Sequence, residues 1–158
     1  MTEFTKLVYI GADHAGYEVK EQIQKYLKEK EYKVIDLGVF AEGSVDYPDI
    51  AREVAEKVSD NEGSFGVLVC GTGVGMSMAA NKVFGIRAVQ ASTRHDAEMS
   101  RQHNDANLIC FGARTQKFEE ITDILDGFME EAFEGGRHEK RVEKITDIEK
   151  EMCKKCKI

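Results

Sequence analysis

The chain has a single proline, no apolar run approaching the ~18 residues of a membrane-spanning helix, and no surplus of basic residues. A bilayer span is therefore not expected. The formal net charge of −7 argues against a nucleic-acid surface, and any anionic ligand must meet a local basic cluster that works against the overall field. The four cysteines, Cys70, Cys110, Cys153 and Cys156, fall at two expected strand ends and in the terminal tail, which is no disulfide framework. Cys153-Lys154-Lys155-Cys156 lacks a second ligand pair, so it reads as solvated tail and no metal is expected there. Met1-Thr2-Glu3-Phe4-Thr5-Lys6 lacks the basic and apolar regions of a secretory leader, and a cytoplasmic location is expected. Internal repeats and low-complexity segments are also missing.

What is present fits one domain over residues 1–158. A chain of 158 residues buries about two-thirds of its unfolded surface, enough for a core without staples. Apolar runs at Leu7–Ile10, Lys33–Leu37, Phe65–Cys70, Arg87–Ala91 and Asn107–Phe111 read as five strands. Between them lie helical patterns: Val19, Ile23, Tyr26 and Leu27; then Ile50, Val54 and Val58 after Pro48 in a first turn; then Met76–Lys82; then about Arg94–Arg101. Phe118 through Ala132 predicts a long amphipathic helix stopped by Gly135-Gly136, and a last helix over about 138–155 carries Val142, Ile145, Ile148 and Met152. Such alternation implies an α/β fold, a five-stranded parallel sheet covered on both faces, with an extra C-terminal helix.

The most informative stretch is Cys70-Gly71-Thr72-Gly73-Val74-Gly75-Met76-Ser77, a strand end, glycine turn and helix start with a thiol at the strand's last position. Three glycines let the backbone take φ > 0 and aim several N–H groups at one place, where the helix's positive end favours negative charge. That end also favours a Cys70 thiolate, a base or nucleophile beside an oxyanion cradle. Two nucleotide motifs fail: Gly75 is followed by Met76-Ser77 and not Lys-Ser/Thr, and the third glycine of a dinucleotide fingerprint is missing.

Ligands of parallel sheets sit at the carboxyl ends of the strands. That rule puts Asp13, His14, Asp46, Tyr47, Cys70, Thr72 and Arg114 along one edge. His103 and Asn104 precede the fifth strand, and Arg137 lies beyond a return helix of roughly 18 residues, about 27 Å long. These three belong near the opposite edge of their own subunit. If they serve the cleft, a second subunit brings them, and the apolar stripe of the terminal helix offers the contact; a homodimer with composite sites is expected. Arg137 and Arg141, four residues apart, share a helical face and could grip a phosphate. Alone, Asp13-His14 could be turn chemistry, and His95 and His138 read as exposed helix residues.

Gly11-Ala12-Asp13-His14-Ala15-Gly16, Asp46-Tyr47-Pro48, the Cys70–Gly75 loop, Ala80-Asn81-Lys82, Gly85-Ile86-Arg87-Ala88, Ser100–Asp105 and Glu134-Gly135-Gly136-Arg137-His138 stand in the order of one family. Together they resemble the type B ribose-5-phosphate isomerases, of the family that also holds galactose-6-phosphate isomerase, over about residues 7–150. The resemblance implies a Rossmann-like α/β/α sandwich, a dimer or dimer pair, and interconversion of ribose 5-phosphate and ribulose 5-phosphate in the pentose phosphate pathway without a metal or organic cofactor. It implies Cys70 as the base that moves a proton between C2 and C1 through a cis-enediolate. Thr72 with the amides of Gly71, Gly73 and Gly75 would stabilise the anion, and His103 would open the furanose ring. Asp13 and Asn104 would contact sugar hydroxyls, and His14, Arg114, Arg137 and Arg141 the phosphate, with Asp46 and Tyr47 on the sugar's flank. A six-carbon sugar phosphate (allose or galactose 6-phosphate) and a non-catalytic phosphosugar-binding module remain the alternatives.

Overall fold

A computed structural model describes residues 5–40 and 43–156. Five strands, β1 (Leu7–Ala12), β2 (Lys33–Asp36), β3 (Phe65–Cys70), β4 (Ala88–Gln90) and β5 (Leu108–Gly112), form one parallel sheet in the order β2-β1-β3-β5-β4. The helices are α1 (Tyr17–Glu29), α2 (Tyr47–Asp60), α3 (Val74–Ala80), α4 (Arg94–Asn104), α5 (Phe118–Glu130) and α6 (Arg137–Lys155). The expected α/β sandwich is what the chain forms. β1 and β3 are adjacent although β2 lies between them in sequence, so the chain reverses direction between them and opens a crevice above their carboxyl ends.

Period-2 strands buried on both faces and one-sided helices make two cores. On one face Ile23 and Leu27 of α1, Ala97 of α4 and Ile121, Leu125 and Phe128 of α5 pack on Val8, Ile10, Val67 and Phe111. On the other, Ala51, Val54 and Val58 of α2 and Met76 and Ala80 of α3 cover Tyr9, Leu68 and Cys110. α4 begins at a capping box in which the Thr93 hydroxyl accepts the Asp96 N–H at 3.1 Å and the Asp96 carboxylate accepts the Thr93 N–H at 3.1 Å. Pro48 stands in the first turn of α2, where its missing N–H costs no hydrogen bond.

Beyond shifts of a residue or two at strand ends and in α3, two helix ends differ from the sequence reading. α5 ends at Glu130, and Glu131 is extended. The cause is a tertiary tie: Gln102 donates its side-chain amide to the Glu131 carboxylate at 2.7 Å and accepts the Glu134 N–H at its carbonyl at 3.1 Å. Gly135 and Gly136, both at positive φ, therefore introduce α6 and do not stop α5. α4 runs on to Asn104 and ends on Asp105 in the left-handed region. No described helix is long and apolar enough to cross a membrane. Residues 1–4, on which part of the leader reading rests, lie outside the described residues.

Candidate active site

The β3 end is held by its neighbours. Asp13 N–H donates to the Val69 carbonyl at 3.2 Å, Ala113 N–H to the Cys70 carbonyl at 2.8 Å, and Arg114 N–H to the Gly71 carbonyl at 3.0 Å. The loops after β1, β3 and β5 are thereby zipped into one edge. Asp13 is buried, and its carboxylate accepts the Gly16 N–H at 3.1 Å, while His14, Thr72 and Arg114 beside it are exposed. The Tyr47 ring lies so close over Gly75 that a Cβ there would meet Cζ at 2.7 Å, which brings the start of α2, with Asp46 as its N-cap, to the same edge. All seven residues that the strand-end rule assigns to one edge are there.

Cys70 is 5% exposed, belongs to the same core cluster as Met76 and Cys110, and accepts the Gly73 N–H on Sγ at 3.1 Å. The Gly73 amide is thus turned toward the Cys70 sulfur. Gly73 sits at φ +80, which glycine alone adopts freely, and the turn hands over to α3, whose Ser77 N–H makes the bond back to Gly73. The amides of Gly75 and Met76 are left at the open end of the helix. Thr72 accepts the Val74 N–H on its hydroxyl at 3.3 Å. Burial, and secondarily the neighbouring Cys70, pushes the Cys110 thiol well up. A groove of about 840 Å³ along α2 and α3, lined by Pro48, Arg52, Lys82 and Phe84, contains none of these strand-end residues.

The second cluster lies at the other end of the molecule. α4 carries His103 and Asn104 to the amino edge of the sheet, and β5 alone, at five residues, spans roughly 16 Å between the edges. There the His103 ring stacks on His138 of α6 at 4.1 Å between centroids and 11° between planes. Arg137 donates Nε to His138 Nε2 at 3.4 Å, and Arg141 follows one turn on. His138, read from sequence as an exposed helix residue, is 6% exposed and belongs to this cluster. Nothing in its sequence surroundings signals this, because the contact depends on how α6 is folded back onto α4. Burial, then the proximity of His103 and Arg137, keeps His138 below the usual histidine range. His103, Glu134 and His138 bring ligand-type atoms within 4.8 Å of one another, the one such group among the described residues. The imidazole planes are nearly parallel, so their in-plane lone pairs run side by side and do not converge on an ion. One chain therefore presents two separate clusters, a thiol with its amide loop at one edge and a histidine pair with arginines at the other.

A doubly wound parallel sheet with a thiol and a glycine loop at its switch point defines an α/β protein of the class that takes its ligands at the strand ends. The family profile described as Ribose/Galactose Isomerase matches residues 8–145. Ribose-5-phosphate isomerase B of Escherichia coli (strain K12) is 46% identical over 144 residues, covering 91% of this chain and 97% of the relative. Among solved structures, that of Clostridium thermocellum ribose-5-phosphate isomerase B is similar at a TM-score of 0.90 and 46% identity, over 92% of this chain and 99% of the other. The Mycoplasma genitalium ribose-5-phosphate isomerase B, solved with bound ribulose 5-phosphate, is similar at 0.90 and 42% identity, over 94% and 99%. The chain belongs to the ribose/galactose isomerase family.

Proposed function

We propose that the chain is an aldose-ketose isomerase interconverting D-ribose 5-phosphate and D-ribulose 5-phosphate, working in the cytoplasm as a homodimer whose sites each take one half from each subunit. The observation that carries this reading is the Cys70 sulfur held by the Gly73 N–H at the tip of β3. In the forward direction Cys70 removes the proton from C2 of the open-chain aldose. The C–H electron pair becomes the C1–C2 double bond of a cis-enediolate, and the aldehyde oxygen takes the charge. The proton is then delivered from Cys70 to C1 while the hydroxyl proton of the C2 oxygen passes to the C1 oxygen, which leaves a carbonyl at C2 and a hydroxyl at C1, so no external electron donor or acceptor takes part. The developing oxyanion meets the Gly71 and Gly75 amides and Thr72, and preorganised donors of this kind are worth ~3–4 kcal/mol each.

Asp13 from the same subunit and Asn104 from the second hold sugar hydroxyls, and Asp46 and Tyr47 flank the sugar. Arg114 and His14 meet the phosphate from one side, while Arg137 and Arg141 of the second subunit close on it from the other, which fixes the far end of the sugar and places C2 at the sulfur. His103, also donated, moves the ring-oxygen proton when the furanose opens. The amino-edge position of His103 and Arg137 supports a donated half, because they cannot reach the Cys70 of their own chain. Deuterium exchange at C2 of ribose 5-phosphate in heavy water, with and without chelator, tests the proton transfer. Cys70→Ala should abolish exchange; unchanged exchange would remove Cys70 from the mechanism. Rates on ribose, allose and galactose phosphates side by side fix the chain length of the sugar. Mixing Cys70→Ala with His103→Ala subunits should restore activity through hybrid dimers, and no recovery despite proven exchange would refute the shared site.

A further inference from the structure

His103 and Asn104 occupy the last turn of α4, where a helix ordinarily frays and leaves four carbonyls without intrahelical partners. Here the turn is fastened from outside the helix. Arg87, the residue before β4, donates Nε to the carbonyls of Asn104 and Asp105, both at 3.0 Å, and Nη2 to the Asp105 carboxylate at 3.2 Å. Arg101 reaches the other oxygen of the same carboxylate with Nη1 at 3.0 Å and also donates to the Ala106 carbonyl. Arg87 is itself fixed, since its N–H donates to the Asn107 side chain at 2.9 Å and its carbonyl accepts the Asn107 N–H at 3.1 Å. Arg101 is 7% exposed, with its guanidinium carbon 4.9 Å from the Phe65 ring centroid and 5.7 Å from that of Phe128.

The pivot is Asp105, a non-glycine residue at φ +48. Its backbone turns the chain out of the helix immediately after Asn104, and its carboxylate is divided between two arginines, each of which also holds a carbonyl of the turn. We infer that Arg87, Asp105 and Arg101 form a clamp whose purpose is to position His103 and Asn104 for reaction in the site of the second subunit. These are positioning residues; none of them touches substrate. The arrangement suits a side chain that must act across a subunit boundary, because the far half of the site cannot correct its placement. This inference rests on the shared site proposed above.

Asp105→Gly removes the carboxylate while leaving the left-handed turn easy to form, and Arg87→Met removes the bonds to the Asn104 and Asp105 carbonyls while keeping most of the side chain's length. Each should lower kcat by ~10–100-fold, the effect of displacing a reacting group by about 1 Å. In the Asp105→Gly protein the imidazole NMR resonances of His103 should shift while those of the remote, exposed His95 stay in place. Asp105→Gly subunits mixed with Cys70→Ala subunits should gain activity over either alone, since the hybrid pairs an intact Cys70 with a clamped His103. Mixed with His103→Ala subunits they should gain nothing. Full kcat in both variants, or unmoved His103 resonances, would overturn the clamp, as would equal gains in the two mixtures. The Cys70→Ala and His103→Ala pair serves as control: its failure to recover refutes the shared site, and the clamp is then judged by kcat and the His103 resonances.

Discussion

Gly73→Ala tests the strand-end loop most sharply, because one methyl group acts there in two ways. At φ +80 an L side chain costs ~1–2 kcal/mol. A Cβ at this position would also meet the Phe111 carbonyl carbon at 3.0 Å and its oxygen at 3.1 Å, and backbone of a central strand cannot swing aside as a side chain does. Crowding of a packed site adds ~1–3 kcal/mol, so the expected loss of stability is about 2–5 kcal/mol. For a domain of this size that corresponds to a fall in Tm of roughly 4–20 °C. Gly63→Ala isolates the first effect, since Gly63 sits at φ +83 and a methyl group added there would have nothing within 4 Å. It should cost only the ~1–2 kcal/mol of backbone strain.

The same displacement would carry the Gly73 N–H away from Cys70 Sγ. A hydrogen bond to a charged group contributes ~1.5–3 kcal/mol, so kcat should drop by roughly 10- to 150-fold beyond any loss of folded enzyme. Urea unfolding of wild type, Gly73→Ala and Gly63→Ala at one fixed protein concentration gives the stabilities, and initial rates on ribose 5-phosphate below the unfolding transition give kcat. If the two variants were equally stable, the crowding argument would fail. If Gly73→Ala kept wild-type kcat, the hydrogen bond would have no part in preparing the sulfur.

Three further outcomes follow from the same structure. Iodoacetamide should modify exposed Cys153 and Cys156 quickly and leave Cys110 untouched until the chain unfolds, because Cys110 is fully buried and its thiol is pushed up; mass mapping of alkylated peptides reads this. Stability should be level in pH above the ordinary histidine range of about 6.5 and decline as pH falls through it. The sign follows from His138, whose depressed folded value lets the unfolded chain take up the proton first; His138→Gln should flatten this part of the profile in denaturant titrations. Lys20 is fully buried with its ammonium 2.6 Å from the Asp36 carboxylate, which also holds the Gly38 N–H at 2.9 Å. Lys20→Met should therefore cost ~3–5 kcal/mol in urea unfolding, and Lys20→Met with Asp36→Leu should recover part of it.

The elements easiest to read from the sequence were those whose neighbours impose one environment along their length. β1, β3 and β5 are buried on both faces and bounded by glycine, so apolar runs located them and the strand-end rule then assembled Asp13, Cys70, Thr72 and Arg114 without further information. The rest failed where a single tertiary contact outvoted a local pattern. The apolar spacing from Phe118 runs past Glu130, and only the grip of Gln102 on Glu131 and Glu134, from a helix earlier in the chain, turns the backbone out. α4 outlasts its expected end at Arg101 because Arg87, seventeen residues from Asn104, caps its carbonyls. His138 carries no mark of its own, since its environment is the ring of His103 on another helix. These three misreadings concentrate in the amino-edge cluster, and that is physically coherent. The Cys70 loop is written in consecutive residues because backbone amides build it. The His103 cluster is built from Arg87 just before β4 and from side chains of α4 and α6 that meet only after folding, so its geometry is encoded in pairings that no local window contains.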